Sequence, residues 1–370
     1  MHTLRPMSTH FATMTELQPF ISTAPGRLCL FGEHQDYLNL PVIALALPLT
    51  CTIEVIPRND SRNLILKFGT KVWSIHLDKI PPKQVVKDGD DLDFALAAVH
   101  EVLADGWVFH SGAECVSTTT IPLQAGCSSS SAFCVAWIQV LAKLATNQTT
   151  LSPLQVAQWA YCAEVTHFGS PGGTMDHVTS ALGGILRIGP GMWDYQRLEI
   201  PPQQGVWVLA YSGEAKDTLK HLNRCKGERM RLLAKLGGSW DNSSVDGLSE
   251  DEVVLLKATI TNRDMERQAA AEWTTKSASV LASYMGQHHE ALRDGLHLST
   301  PRLEAMNEAA LQAGAWAFKV VGSGGGGCGV AWCSEDVVEP VALAMKQAGA
   351  PETWIISEIS PGASVRDVSV

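Results

Sequence analysis

A polar segment, Ala24-Pro25-Gly26-Arg27-Leu28-Cys29-Leu30-Phe31-Gly32-Glu33-His34-Gln35-Asp36-Tyr37, interrupts two apolar runs that read as buried strands, Phe20–Ala24 and Pro41–Leu49. It gathers Arg27, Glu33, His34 and Asp36 around two glycines. Four hydrogen-bonding side chains at a strand end need polar partners. A turn satisfied by its own Arg–Asp pair accounts for any one of these residues. The cluster as a whole fits a small polyhydroxylated ligand better.

Any fold must place that segment within 370 residues, a length that favours about two domains. Lys and Arg number 28 against 38 Asp and Glu, a net charge of −10 that argues against a nucleic-acid partner. An acidic chain that binds a nucleotide must concentrate positive potential locally, through backbone amides and helix N-termini. The nine cysteines show no CxxC pair and sit mostly in apolar runs, as Cys134 and Cys162 do. They read as reduced core thiols of a cytoplasmic protein. Residues 1–17 read as a loose arm without a signal peptide, and no apolar run is long enough to span a membrane. The sequon Asn147-Gln148-Thr149 reads as chance, and the acidic stretch Asp88–Asp93 as a solvated helix start.

Strand patterns cover Val42–Leu49, Cys51–Ile56, Leu64–Phe68, Val72–Leu77, Gly112–Ile121, Val206–Tyr211, Ala317–Val321 and Cys328–Cys333. Helical spacing covers Asp91–Ala104, the segment after Ala132, Ser152 to about Glu164, two or three segments within 215–290, and Pro301–Ala313. The pattern loosens around Pro190–Pro202. A boundary there divides the chain into 18–195 and 196–370, each mixing helices and strands in an α/β (α+β) architecture.

Two further constellations carry chemistry. In Pro122-Leu123-Gln124-Ala125-Gly126-Cys127-Ser128-Ser129-Ser130-Ser131-Ala132, a strand leads through a loop into an apolar helix. Free N–H groups and the helix dipole at such a junction attract phosphate, and hydroxyls add donors or a Mg²⁺ ligand. A helix cap needs one serine rather than four. The chain contains no Gly-Lys dipeptide, so this is not a Walker A loop. The second constellation is Val321-Gly322-Ser323-Gly324-Gly325-Gly326-Gly327-Cys328-Gly329, which contains GxGxxG but runs into a strand, the wrong context for a dinucleotide fold. Asp176 follows Gly172-Gly173-Thr174-Met175, twelve residues after Glu164, and alone would read as the cap of a helix beginning near His177.

In this order the segments resemble the GHMP kinases, and the first resembles the galactokinase signature within them. The serine run resembles the second superfamily motif, Pro-x-x-x-Gly-Leu-x-Ser-Ser-Ala, and the glycine run the third, Gly-Ala-Gly-x-Gly-Gly-Cys. The resemblance runs from about Thr23 to Trp332. It implies a two-domain fold with the active site in the cleft between the domains. ATP and Mg²⁺ are then expected against Gly126, Ser128, Ser129, Ser130 and Ser131, with Ser130 and Glu164 on the metal. The acceptor is expected against Arg27, Glu33, His34, Asp36 and Asp176. Galactokinases carry Gly-x-Met-Asp-Gln where this sequence has Gly173-Thr174-Met175-Asp176-His177, with the Asp as catalytic base. That implies Asp176 as base, with Arg27 beside it lowering its pKa and stabilising the transferring charge. The implied reaction is phosphorylation of the anomeric hydroxyl of galactose or a related sugar.

Several positions depart from the galactokinase pattern. Gln124 stands for the usual Gly, Cys127 for Leu, Ser131 for Ala, His177 for Gln and Cys29 for Asn. Lys216-Asp217-Thr218 resembles a segment near the nucleotide and sugar, but Leu222 and Asn223 occupy the neighbourhood of a sugar-contacting Tyr. Arabinose, an N-acetylhexosamine or a uronic acid could then replace galactose. A uronic acid would need an extra cationic contact, which the sequence does not place. The rivals are a kinase for a polyol or other alcohol and a non-catalytic sugar and ATP sensor. The presence of Asp176, Glu164 and the serine run speaks against the sensor. His288 and His289 are adjacent, poorly placed as a metal pair, and read as structural.

Overall fold

A computed structural model describes residues 17–82, 93–109, 111–145, 151–201, 204–215, 218–242 and 244–368. Residues 1–16, the sequon 147–149, the acidic residues 88–92 and Lys216-Asp217 lie outside the described residues.

The first sheet is built on two long antiparallel strands, β1 (Phe20–Phe31) and β2 (Val42–Arg58). β1 does not stop at Ala24, where the apolar run ends. It continues through Arg27 to Phe31, with register shifts at Pro25/Arg27 and Cys29/Phe31. The expected strands Val42–Leu49 and Cys51–Ile56 are one strand, β2, that changes neighbour along its length. Its first half pairs with β6 (Ile185–Ile188), which carries β7 (Tyr195–Leu198) beyond it. Its second half pairs with β5 (Gly112–Thr119), followed by β3 (Asn63–Phe68) and β4 (Lys71–His76). Pro48 falls between the two pairings, where its missing N–H breaks no ladder bond.

Helices α1 (Asp93–Ala104), α2 (Ser129–Leu144), α3 (Pro153–Tyr161) and α4 (Met175–Leu182) pack together, with α2 and α4 against β1 and β2. α2 is apolar nearly all round, burying Phe133, Trp137, Ile138 and Val140, as a helix enclosed by neighbours must. α3 starts at a capping box of Ser152 and Gln155 with Pro153 in its first turn, and ends in a π-helical turn, Cys162–Thr166.

The second sheet is antiparallel throughout, in the order β11 (Glu352–Ile356), β8 (Val206–Tyr211), β10 (Cys328–Cys333), β9 (Ala317–Val320). α5 (Thr218–Lys235), α6 (Glu250–Glu272), α7 (Ala278–Asp294), α8 (Pro301–Gln312) and α9 (Val338–Gln347) complete this half. β7 belongs to the first sheet and spans the expected boundary between 195 and 196, so the chain leaves that sheet after Leu198. Near its end the chain returns as β12 (Ser364–Asp367), which pairs with β1. One continuous core joins the halves, from Trp137 under the first sheet to Trp207 and Trp332 in the second. Among the described residues no helix is long and apolar enough to cross a membrane.

Candidate active site

The polar turn after β1, the N-termini of α2 and α4, the start of α5 and the β9–β10 glycine loop all border one cavity of about 410 Å³. Its wall includes Arg27, Glu33, His34, Asp36, Gly126, Ser128–Ser131, Glu164 and Asp176, so the structure gathers every sequence-derived site residue around one space. Apolar side chains including Phe68, Phe94, Leu123 and Phe133 line the rest.

Close backbone approach makes this convergence possible. The Arg27 N–H donates to the carbonyl of Cys127 at 3.1 Å, which pins the serine loop to β1. A Cβ on Gly26 would lie 2.6 Å from that carbonyl oxygen, so the β1 bulge requires glycine there. Ser128 takes a left-handed conformation (φ 60°), after which α2 begins at Ser129. The first-turn N–H groups of α2 therefore open beside the cavity, the geometry of an anion site.

Arg27 Nε donates to Asp176 Oδ1 at 2.8 Å, and its Nη1 donates to the Gly126 carbonyl. Arg27 is buried, whereas the Asp176 side chain keeps 28% of its surface open. Burial pushes the Asp176 carboxyl up, but the Arg27 charge and the Ser128 hydroxyl outweigh it and hold the group below its ordinary value. Asp176 is not the helix cap. Thr174 occupies that position, and Asp176 lies in the first turn of α4, where its charge suits the helix dipole.

Asp36 sits close by with a different electrostatic character. Its Oδ1 accepts from the Tyr37 N–H at 2.9 Å, yet burial and the neighbouring Asp176 charge push its pKa up to about 6. Gly173 makes room for it, because a Cβ there would lie 2.0 Å from Asp36 Oδ2. Glu164 lies in the π-helical turn after α3, a distortion frequent at functional sites. Burial raises its pKa, but His177, Ser130 and Ser131 together lower it further. His177 contacts Glu164 Oε2 through Nε2 at 2.7 Å, so the residue that replaces the signature glutamine fixes the orientation of this carboxylate.

Glu33 has both oxygens engaged. Oε2 pairs with Lys319 on β9, and Oε1 accepts from the Gly322 N–H at 2.6 Å. The glycine loop is further held by Gly325 N–H to the Leu298 carbonyl at 2.8 Å and Gly327 N–H to the Glu214 carbonyl at 3.0 Å. His34 (φ 62°) contacts the Tyr37 hydroxyl through Nδ1 at 2.8 Å, and Arg229 donates to the same hydroxyl. His288 is fully buried, and His289 contacts Glu304 at 3.1 Å through Nε2; neither lines the cavity.

Lys319 and Arg229 escaped the sequence reading, and His177 stood out there only as a replacement for glutamine, without its Glu164 partner. Lys319 had a visible signal, a lone charge within the apolar run Ala317–Val321. Arg229 had none, because it is one basic residue among several on a polar-looking helix.

Three family models match: GHMP kinases N terminal domain at residues 93–184, GHMP kinases C terminal at 269–351, and the galactokinase galactose-binding signature at 9–57. A mevalonate kinase of Pyrococcus abyssi is 30% identical, over 92% of this chain and 95% of its own length. A galactokinase of Streptomyces coelicolor is 26% identical over 88% and 87%. In structure, the Lactococcus lactis galactokinase complexed with galactose superposes with a TM-score of 0.80 at 16% identity, covering 94% of this chain and 95% of that one. The Methanococcus jannaschii mevalonate kinase gives 0.72 at 19%, covering 94% and 98%. These two structural likenesses speak to the fold, a two-domain mixed α/β arrangement. With both domain models in order and a relative at this identity along nearly its whole length, the chain belongs to the GHMP kinases, ATP-using phosphotransferases.

Proposed function

We propose that the chain transfers the γ-phosphoryl group of ATP to the anomeric hydroxyl of a monosaccharide, galactose or a related sugar, to give the sugar 1-phosphate and ADP. The observation that carries this reading is the Arg27–Asp176 pair, set in the cavity wall beside the serine loop. The match of residues 9–57 to a galactose-binding signature supports a sugar as acceptor.

In this reading Asp176 accepts the proton of the acceptor hydroxyl as that oxygen bonds to the γ-phosphorus. The bond from phosphorus to the β-bridging oxygen breaks, and ADP leaves with its electron pair. A carboxylate held below its ordinary pKa is a weak base, which is sufficient here. Phosphoryl transfer depends mainly on positioning and charge neutralisation, and the hydroxyl proton becomes acidic only as its oxygen bonds. Arg27 orients Asp176 and offsets charge on the transferring group. Gly126 and the Ser128–Ser131 segment hold the phosphates by N–H groups and hydroxyls. His34 and Asp36 contact the acceptor, and Glu33 fixes the glycine loop against it.

Ser130 and Glu164 supply oxygen ligands only, and one carboxylate with phosphate oxygens is a donor set that suits Mg²⁺. Bound there, Mg²⁺ would neutralise charge on the β- and γ-phosphates. His177 keeps the Glu164 carboxylate turned toward the serine hydroxyls.

A second reading, an alcohol acceptor of the mevalonate type, draws on the mevalonate kinase relatives, which match as well as the galactokinases do. ADP release measured with galactose, arabinose, N-acetylgalactosamine, glucuronate, mevalonate and inositol, with identification of the product, separates the two. Turnover of a sugar to its 1-phosphate supports the first reading. Turnover of mevalonate alone overturns it.

A further inference from the structure

His34 and Tyr37, three positions apart in the polar turn after β1, meet end to end. His34 Nδ1 lies 2.8 Å from the Tyr37 hydroxyl, with the two rings nearly perpendicular. Both residues line the cavity. The same hydroxyl is met by Nη2 of Arg229, which comes from α5 in the other half of the molecule. Among the described residues the hydroxyl has no third hydrogen-bond partner.

The chemistry of the three groups fixes where the protons lie. A guanidinium has donors and no acceptor, so the Tyr37 oxygen accepts from Arg229. Burial pushes the Tyr37 pKa up, so the phenol keeps its own proton. On the protein that proton has one acceptor within reach, His34 Nδ1. Nδ1 is therefore the bare nitrogen of the ring, and the proton of the neutral imidazole sits on Nε2. The opposite arrangement, with Nδ1–H donating to Tyr37, gives the hydroxyl two donors and leaves its own proton without an acceptor on the protein.

Holding this chain together costs stability. Arg229 is fully buried and, among the described residues, has no carboxylate within ion-pairing distance. Taking an unmatched guanidinium out of water is unfavourable. His34 itself is held in a left-handed conformation (φ 62°), uncommon for any residue but glycine. Backbone strain of this kind persists where the surrounding structure enforces a geometry, and such places cluster at functional sites.

We propose that Arg229 and Tyr37 are positioning residues that lock His34 in its Nε2–H tautomer, so that His34 meets the acceptor as a hydrogen-bond donor and never as a base. This inference rests on the kinase reading for the contact with the acceptor, and it deepens that reading. The turn then offers a donor from His34 and, two positions on, an acceptor from ionised Asp36. The acceptor molecule must present an oxygen lone pair to the first and a hydroxyl proton to the second. The reacting proton is left to Asp176, because the lone pair of His34 is already taken by Tyr37.

Nitrogen NMR of the full chain labelled at histidine reads the tautomer directly. His34→Gln identifies the His34 signals among those of the twelve histidines. At neutral pH the free protein is expected to show His34 with a protonated Nε2 and a bare Nδ1. A protonated Nδ1, alone or together with Nε2, overturns the proposal. Tyr37→Phe keeps the ring, removes the hydroxyl and is expected to admit the Nδ1–H form. Arg229→Lys keeps a donor and should hold the lock, whereas Arg229→Met should relax it, with melting temperatures showing that the variants fold. An unchanged tautomer in Tyr37→Phe overturns the proposal whatever the Arg229 variants do. Calorimetry with galactose and with ATP reads the consequence. Tyr37→Phe is expected to weaken galactose about threefold to tenfold, the net worth of one hydrogen bond, and to leave ATP within about twofold. Galactose affinity unmoved, or both ligands weakened equally, overturns the positioning role. Failure of galactose to bind the wild type, with the Nε2–H form seen, would remove the sugar reading and leave the tautomer lock standing.

Discussion

Glu33 and Lys319, 286 residues apart, form a buried ion pair that ties the polar turn after β1 to the strand leading into the glycine loop. The same carboxylate accepts the Gly322 N–H, so one side chain holds two of the three sequence motifs together. Removing one partner strands a charge in the interior. Lys319→Met is expected to destabilise the protein by about 3–5 kcal/mol. Adding Glu33→Gln should recover a substantial part, because the stranded charge is then gone. Urea unfolding of the two variants checks both statements.

The Arg27–Asp176 pair predicts a different balance. Asp176 is partly open to the cavity, so Arg27→Met should cost less stability, about 2–3 kcal/mol. The larger loss should appear in turnover, about a hundredfold or more in kcat, with little change in ATP affinity. Steady-state kinetics beside thermal melting separates the two effects.

Asp36 gives a pH dependence. Its pKa rises from 3.8 to about 6, so the folded state holds the proton more tightly than the unfolded chain does. Its contribution to stability is therefore greatest at acid pH and is lost as pH rises through about 6. Acceptor binding runs the opposite way, because only the ionised carboxylate accepts two hydroxyl hydrogen bonds freely. The acceptor KM should rise about tenfold between pH 7 and pH 5, following the ionised fraction of a group that titrates near 6. Asp36→Asn should flatten that profile.

Gly173 should be intolerant of a side chain for one steric reason. Gly173→Ala places a methyl group onto the Asp36 carboxylate, so Asp36 must turn away. Acceptor KM is expected to rise about tenfold or more, with KM for ATP nearly unchanged, because the added methyl meets the Asp36 side chain and no atom of the serine run. An equal rise in both would show that the loop serves the nucleotide as well.

The motifs were legible because glycine, serine and proline act locally. A serine run after Gly126 defines a helix start whatever packs around it, and the glycine run must be a loop. Gln124 was also legible as a departure, and it adopts a left-handed conformation (φ 52°) where glycine would be at ease. Strand limits were less so. Pro48 sits inside β2 without breaking it, because the strand exchanges one neighbour for another there, a property of the sheet rather than of the segment. The pairings of Lys319 with Glu33 and of Arg229 with Tyr37 arise only when the two halves meet. No local pattern encodes them. His177 was visible as a substitution, but its partner, thirteen positions earlier, depends on how α4 packs against the π-helical turn.

The central claim is that Asp176 receives the acceptor proton, and single-turnover phosphoryl transfer in Asp176→Asn tests it most directly. The variant keeps the shape of the site and removes the base. The expected transfer rate is about a thousandfold lower, with ATP affinity within about twofold of the wild type. Transfer at the wild-type rate would contradict it.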